Sequence, residues 1–227
     1  MRIYNKWNIG KDCSYSSLFD AILEVRGFTR EELDVGSEVL HDPRLLKDMD
    51  LAVERVLRAI QNSEKIMVFG DYDVDGVSST ALMSNFLKDV GAEFFCGLPD
   101  RQKDGYGLKP PAVERALGLG ADLIITVDNG ISAFEGIEYA NNNGLDIVVT
   151  DHHKQLGLLP EASAVVNPNR LDCSYPFKGL AGVGVAFKLV QVLSENFMSL
   201  DKRRIYLNNL LDLVALGTIA DIVPVFG

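Results

Sequence analysis

From residue 65 onward the chain alternates between short, continuously apolar runs and longer stretches in which apolar residues recur every three or four positions. The runs are KIMVFG (65–70), AEFFCGL (92–98), DLIITV (122–127), LDIVVT (145–150) and ASAVVN (162–167), rich in Val, Ile, Phe and Thr. A strand with one wet face would alternate polar and apolar residues. A continuous run suits a strand covered on both faces. Helices are predicted at about 76–90, 110–119, 132–143 and 180–197. Strands alternating with helices build right-handed βαβ units, so the expected fold is α/β, a mainly parallel five-stranded sheet with helices on both faces.

The first sixty residues carry no strand pattern. SSLFDAILEVRGF and LHDPRLLKDMDLAVERVLRAIQNSE read as helices. Leu51, Val53, Val56, Leu57 and Ile60 roughly follow a helical period, with Asp50 as candidate N-cap and Glu54 close behind. Residues 1–62 are expected to form a helical lead-in and residues 63–227 the main domain. RRIYLNNLLDLVALGTIADIVPVFG predicts one further apolar helix ending near Asp221 and Pro224. The chain stops on VPVFG, an apolar turn with no polar tail, which predicts a piece of a longer polypeptide.

Composition narrows the class. With 227 residues, 47% of them hydrophobic, the chain can bury a sizeable core. No apolar run reaches the ~20 residues of a membrane span. The start, MRIYNKWNIGKDCSYSS, lacks the apolar centre of a signal peptide, so a cytoplasmic location is expected. Cys13, Cys96 and Cys173 lie far apart without a CxxC pair, which argues against a disulfide framework and a structural zinc site. The net charge of −10 speaks against a general nucleic-acid binder, which usually shows a basic face. That argument weakens if the acids surround bound cations.

The acids are not scattered. Asp71, Asp73 and Asp75 follow the first run, Asp128 the third, and Asp151, His152 and His153 the fourth. Asn167 ends the fifth. In open α/β sheets the carboxyl ends of the strands line one crevice, so these clusters are expected to converge. Four or five carboxylates in one poorly solvated crevice need either raised pKa values or a cation. Carboxylates with imidazole suit Mg²⁺ or, with the nitrogen donors, Mn²⁺. Two ions about 4 Å apart, bridged by a carboxylate, would clamp an in-line phosphoryl displacement.

Each cluster alone has a plainer reading. DxDxDG resembles part of a calcium loop, but an EF-hand wants Glu at its twelfth position and position 82 is Leu. DHH alone suits a surface turn, and TVDNG a strand–turn signal. GVGVAF (182–187) has Phe187 where a dinucleotide fingerprint wants a third glycine. It reads as a helix-start turn whose N–H groups could contact a phosphate.

Six motifs in order, GDYDVDG, PDRQKDGYGL, TVDNGIS, VTDHHK, VVNPNR and ALGTIADIVP, resemble the DHH phosphoesterase superfamily across roughly residues 15 to 227. More narrowly, they resemble its single-strand-specific 5′→3′ DNA exonucleases. The resemblance implies Asp73, Asp75, Asp128, His152 and Asp221 as metal ligands, with Asp128 bridging. It implies catalytic roles for Asp128, His152 and His153, with His153 near the scissile phosphate, and Asp71 orienting a ligand from behind. Arg101, Lys103 and Arg170, with Asn167, become candidates for phosphate contact, and Tyr106 for stacking on a base. Phe69 departs from relatives that carry a metal-binding histidine there. The implied cofactors are two Mn²⁺ or Mg²⁺ ions, and the implied substrate is single-stranded DNA in repair and recombination. Single-strand-binding protein or a helicase are further implied partners. A second phosphoesterase lobe and an OB-type domain would lie beyond this chain. The competing readings are a small-molecule phosphoesterase (pyrophosphate, oligonucleotide or cyclic dinucleotide) and a non-catalytic scaffold.

Overall fold

The structure is a computed structural model, and it describes residues 17–30, 40–99 and 107–225. Residues 1–40 and 41–227 form two compact units. In the smaller, Ser17 caps helix α1 (Leu18–Val25) by accepting from the Asp20 N–H at 3.2 Å, and Arg30 pairs with Asp20 at 2.6 Å.

In the larger unit a short 3-10 turn (Pro43–Leu45) leads into α2 (Met49–Gln61), and strands and helices then alternate as far as β4. Its elements are β1 (Ile66–Phe69), α3 (Val74–Asp89), β2 (Phe94–Gly97), α4 (Pro110–Gly118), β3 (Leu123–Val127), α5 (Phe134–Asn142), β4 (Asp146–Thr150) and β5 (Ala164–Val166). Three helices close it, α6 (Gly182–Leu193), α7 (Leu200–Asn209) and α8 (Leu211–Ala220). The five strands are parallel, in the order β2-β1-β3-β4-β5. The winding therefore reverses between β1 and β3. Parallel sheets open their ligand crevice at such a reversal.

Strand side chains alternate between two buried layers, as a pleat requires. Ile66 and Val68 of β1 face a core shared with α2, α3 and α6, whereas Met67 and Phe69 face one shared with α4 and α5. Helix α2, expected in the lead-in, supplies Met49, Ala52, Val53, Val56 and Ala59 to the first core and so sits within the larger unit.

Two local expectations are corrected. The N-cap of α2 is Asp48, not Asp50. Asp48 is left-handed at φ 62 and makes no side-chain cap bond, because its carboxylate takes Arg170 and the Val165 N–H instead. The last apolar stretch is two helices, broken at Leu210, which is buried in the first core after the weak helix formers Asn208 and Asn209.

Candidate metal centre

The crevice is assembled from the carboxyl ends of β1, β3 and β4 and from α6 and α8. After β1 the chain turns so tightly that a Cβ on Gly76 would lie 2.6 Å from the Asp71 N and O atoms. Asp73 caps α3 by accepting from the Gly76 N–H at 2.9 Å. Within the first turn of α3, Asp75 is buried and points at the start of α6. Its two oxygens accept from the Gly182 N–H at 2.6 Å and the Val183 N–H at 2.9 Å. The amides of GVGVAF are thus used on Asp75, which corrects the expectation that they contact phosphate. The positive helix end favours the ionised carboxylate there.

The ladder continues one residue beyond β3 and β4. Asp128 N–H donates to the Thr150 carbonyl at 3.0 Å, and Asp151 N–H to Val166 at 3.1 Å. Asp128 is left-handed, φ 61, a conformation Asp tolerates better than most residues. Its neighbour Asn129 donates to the carbonyls of Phe69 at 3.2 Å and Val127 at 2.9 Å, tying β1 to β3 across the reversal.

After β4, Asp151 is enclosed. One oxygen accepts from the backbone N–H groups of His152 (2.7 Å) and His153 (3.0 Å) and meets His153 Nδ1 at 2.7 Å. The other accepts from Ile131 N–H at 2.8 Å. The following loop is pinned by Asn167, which donates to the His153 carbonyl at 2.9 Å, and by Asn169, which donates to the His152 carbonyl.

These parts converge. His152 Nε2 lies 3.2 Å from Asp128 Oδ1, 3.6 Å from Asp221 and 3.8 Å from Asp75. Three groups of donors each fall within 4.8 Å: Asp75–His152–Asp221, Asp128–His152–His153 and Asp71–Asp73–Asp128. Asp128 belongs to two of the groups and so links Asp71 and Asp73 after β1 to both histidines after β4.

Burial drives the Asp128 carboxyl up to about 7, with Asp75 adding repulsion and the His152 hydrogen bond opposing it. Burial likewise raises Asp75 and Asp71, against the backbone N–H bonds each accepts. His153 is raised to about 9 by its hydrogen bond to Asp151. Burial is the largest influence on His152 and opposes its charge, but the bond to Asp128 and the charges of Asp128 and Asp75 together outweigh it and the net direction is up. Burial also works against the Asp151 charge, yet His153 and the surrounding N–H groups hold that carboxyl low.

The donor set fits divalent ions on grounds beyond composition. Asp128 Oδ1 is buried, and the polar group described beside it is the His152 imidazole, 3.2 Å away. Two glycines keep space open: a Cβ on Gly182 would fall 2.4 Å from Asp128 Oδ1, and one on Gly217, inside α8, 2.7 Å from Asp75 Oδ1. Carboxylate oxygens with one or two imidazole nitrogens suit Mn²⁺ or Mg²⁺.

Asp73, Asp75, Asp128, His152, His153 and Asp221 are therefore gathered in one place, and Asp71 lies among the donors. Asn167 shapes the histidine loop through its side chain. Arg170 is corrected as a phosphate contact. Its buried guanidinium is spent on Asp48, on Asp172 at 2.8 and 2.9 Å and on the Val165 carbonyl at 2.6 Å. Phe69 is fully packed in the second core. Arg101, Lys103 and Tyr106 lie outside the described residues. Sequence reasoning missed Asp151 as the residue that orients His153, and it missed Asn129, Asn169, Gly182 and Gly217. Gly217 left a signal, because a glycine inside a helix costs about 1 kcal/mol against Ala and so flags a close approach.

Fold and site define a doubly wound α/β chain with a carboxylate–imidazole centre at its topological reversal. Residues 65–218 match the DHH family, N-terminal domain, and the chain belongs to that family. It is 45% identical over 201 residues to the single-stranded-DNA-specific exonuclease RecJ of Dickeya dadantii, covering 86% of this chain and 35% of that protein. Against RecJ of Bacillus subtilis it is 42% identical over 212 residues, 91% of this chain and 26% of that one. The chain thus spans about a third or less of these two relatives. A crystal structure of exonuclease RecJ bound to manganese superposes with a TM-score of 0.72 at 34% identity, covering 80% of this chain and 45% of that one. RecJ of Thermus thermophilus in complex with Mn²⁺ gives 0.70 at 31% identity, covering 90% and 28%.

Proposed function

We propose that this chain is the catalytic core of a metal-dependent phosphodiesterase that shortens single-stranded DNA from its 5′ end and releases 5′-mononucleotides. The observation that carries the reading is Asp128, a buried carboxylate within reach both of Asp71 and Asp73 after β1 and of His152 and His153 after β4. The likeness to RecJ supplies the substrate. All of these groups come from residues 63–227, read as the catalytic domain. Repair and recombination of DNA in the cytoplasm is the setting that goes with it.

Asp73, Asp75, Asp128, His152 and Asp221 would hold Mn²⁺ or Mg²⁺, two ions sharing Asp128. Such ions activate water and neutralise charge on a phosphoryl group. The chain's own residues do the rest. The α6 N–H groups keep Asp75 aimed and favour its ionised form against the effect of burial. Asp151 holds His153 in a fixed orientation and keeps it protonated near neutral pH, so the imidazolium offsets charge growing on a phosphoryl oxygen. Asn167 and Asn169 stop the histidine loop from drifting. Phe69 contributes packing and no ligand, so an ion held near β1 would draw on Asp73 and Asp128, with Asp71 beside them. Arg101, Lys103 and Tyr106 remain the candidates for gripping the strand. With net charge −10, the affinity for DNA is expected to be weak and steeply salt-dependent.

The test compares product release from a 5′-phosphorylated single strand and from pyrophosphate, each with Mn²⁺. Faster release from the strand is expected. Faster release from pyrophosphate would make this a small-molecule phosphoesterase, and no metal-dependent release from either would leave a scaffold.

A further inference from the structure

An open cavity of about 720 Å³ adjoins the metal centre, walled by Ile131, Phe134, His153, Lys154, Leu156 and Leu158. Its size is that of a small-molecule site. We infer that it receives the base of the nucleotide whose phosphate lies at the centre. The inference rests on the phosphodiesterase reading above and adds the place where the leaving nucleotide is held.

Three observations carry it. First, the cavity is continuous with the chemistry. His153 is both a wall of the cavity and a member of the donor cluster, with its side chain 44% exposed. An occupant of the cavity is therefore adjacent to whatever sits at the centre. Second, the cavity is built from the two segments that aim His153. Ile131 holds Asp151 through its N–H, and Asp151 holds His153. The wall and the imidazole are set by the same bonds, so their spacing is fixed. Third, the lining is apolar with a cationic rim. The Phe134 ring is 45% exposed at the start of α5, and Leu156 and Leu158 are 95% and 84% exposed on the loop beyond the histidines. Exposed apolar side chains gathered around one opening mark a binding surface. A flat base can lie on Phe134 and between the leucines, while Lys154 and Ser132 meet its polar edge or the phosphate.

A base suits this lining better than a protein segment does. A peptide filling the cavity would cover the His153 imidazole that the reaction uses. Stacking on a phenyl ring also accepts any of the four bases, since each has a π-face. The pocket should therefore sense the presence of a base and not its identity.

The experiment titrates the metal-loaded chain, in Mg²⁺, with 2′-deoxynucleoside 5′-monophosphates and with 2-deoxyribose 5-phosphate. Calorimetry gives the affinities and methyl NMR follows Ile131, Leu156 and Leu158. The monophosphates are expected to bind roughly tenfold tighter than the sugar phosphate, nearly alike for all four bases. The three methyl groups should move only when a base is present. Phe134→Ala should cut the advantage of the base to less than about threefold. Equal affinity for the two kinds of ligand, or still methyl groups, overturns the inference while leaving the phosphodiesterase reading intact. Methyl shifts that follow protein concentration instead would assign the cavity to a second copy and overturn it too. If no phosphate compound binds with Mg²⁺ present, the phosphodiesterase reading falls and takes this inference with it.

Discussion

Buried charge in the larger unit forms two kinds of cluster, and the two are balanced differently. Around Arg170, one buried guanidinium meets two carboxylates, Asp48 and Asp172, and a backbone carbonyl. Arg55 repeats the arrangement, bonding Glu64 at 2.7 Å, Asp146 at 2.5 Å and the Asp122 carbonyl at 3.2 Å. In the strand-end crevice Asp71, Asp75, Asp128 and Asp151 are buried, and the described ion-pair partners of Asp75, Asp128 and Asp151 are histidines. The first kind of cluster closes its own charge and is architecture. The second is left negative and is completed from outside, which is what a cation site requires.

The largest effect should come from Asp128→Asn. Asn keeps the shape and tolerates the left-handed backbone, so the fold is retained. Metal-dependent hydrolysis should fall roughly a thousandfold or more, about 4 kcal/mol in the barrier. In chelator at pH 8, by contrast, the variant should be more stable than the wild type by about 1 kcal/mol, because a costly ionised carboxyl is gone. Calorimetric Mn²⁺ titration and denaturant melts measure both signs. A variant that loses stability without metal would break the distinction between the two clusters.

Next in size is Arg170→Met, which strips the cation from the self-balanced cluster and leaves Asp48 without its main partner. Removing one member of a buried pair typically costs about 3 kcal/mol or more. The loss should appear equally with and without Mn²⁺. An Arg170 variant that folds normally but loses affinity for DNA would restore the phosphate role that the geometry has taken away.

That correction shows what the sequence could disclose. The five runs became the five strands because burial on both faces leaves a local signature. Asp73, Asp75, Asp128 and His152 met because parallel strands put their carboxyl ends on one rim, and Asp221 reaches the same place from the end of α8. Arg170 also follows a strand, in VVNPNR, but its partner Asp48 is 122 residues away and no local pattern announces it. The same partner explains why Asp48, not Asp50, starts α2. The amides of GVGVAF were legible as anion binders, yet the anion proved to be Asp75, 107 residues earlier. The break at Leu210 stayed hidden because both halves are apolar and helical, and only the core decides where the chain turns.

A smaller effect should separate the clusters by pH. Without metal, the folded Asp128 carboxyl titrates near 7 and His153 near 9, both above their ordinary values of 3.8 and 6.5. For a raised group the folded state holds the proton more tightly. The associated stability is complete below the ordinary pKa and lost as pH climbs through the folded one. In chelator, stability should therefore decline from about pH 4 to pH 7 through Asp128, and from about pH 6.5 to pH 9 through His153. With Mn²⁺ present the trend should reverse over the neutral range, because ions bind deprotonated ligands. Asp128→Asn should flatten the lower part of the decline. Thermal melts at a series of pH values, with chelator or Mn²⁺, read all three.

The smallest effect should come from Asp172→Asn, within the self-balanced cluster. Asp172 bonds Arg170 through both oxygens, as Asp48 does through one, yet its side chain is 53% exposed against 19% for Asp48. Water already screens an exposed partner, so its removal should cost about 0.5 kcal/mol, and less in high salt. Arg170 holds the Asp172 carboxyl below its ordinary pKa of 3.8, so this contribution is present above that value and fades as pH falls through the lowered one. Asp48→Asn should cost several times more, since the guanidinium would keep only its wet partner. If the two variants were equally mild, Arg170 would be supported chiefly by the Val165 carbonyl and by packing. The cluster would then no longer count as a charge balanced from within.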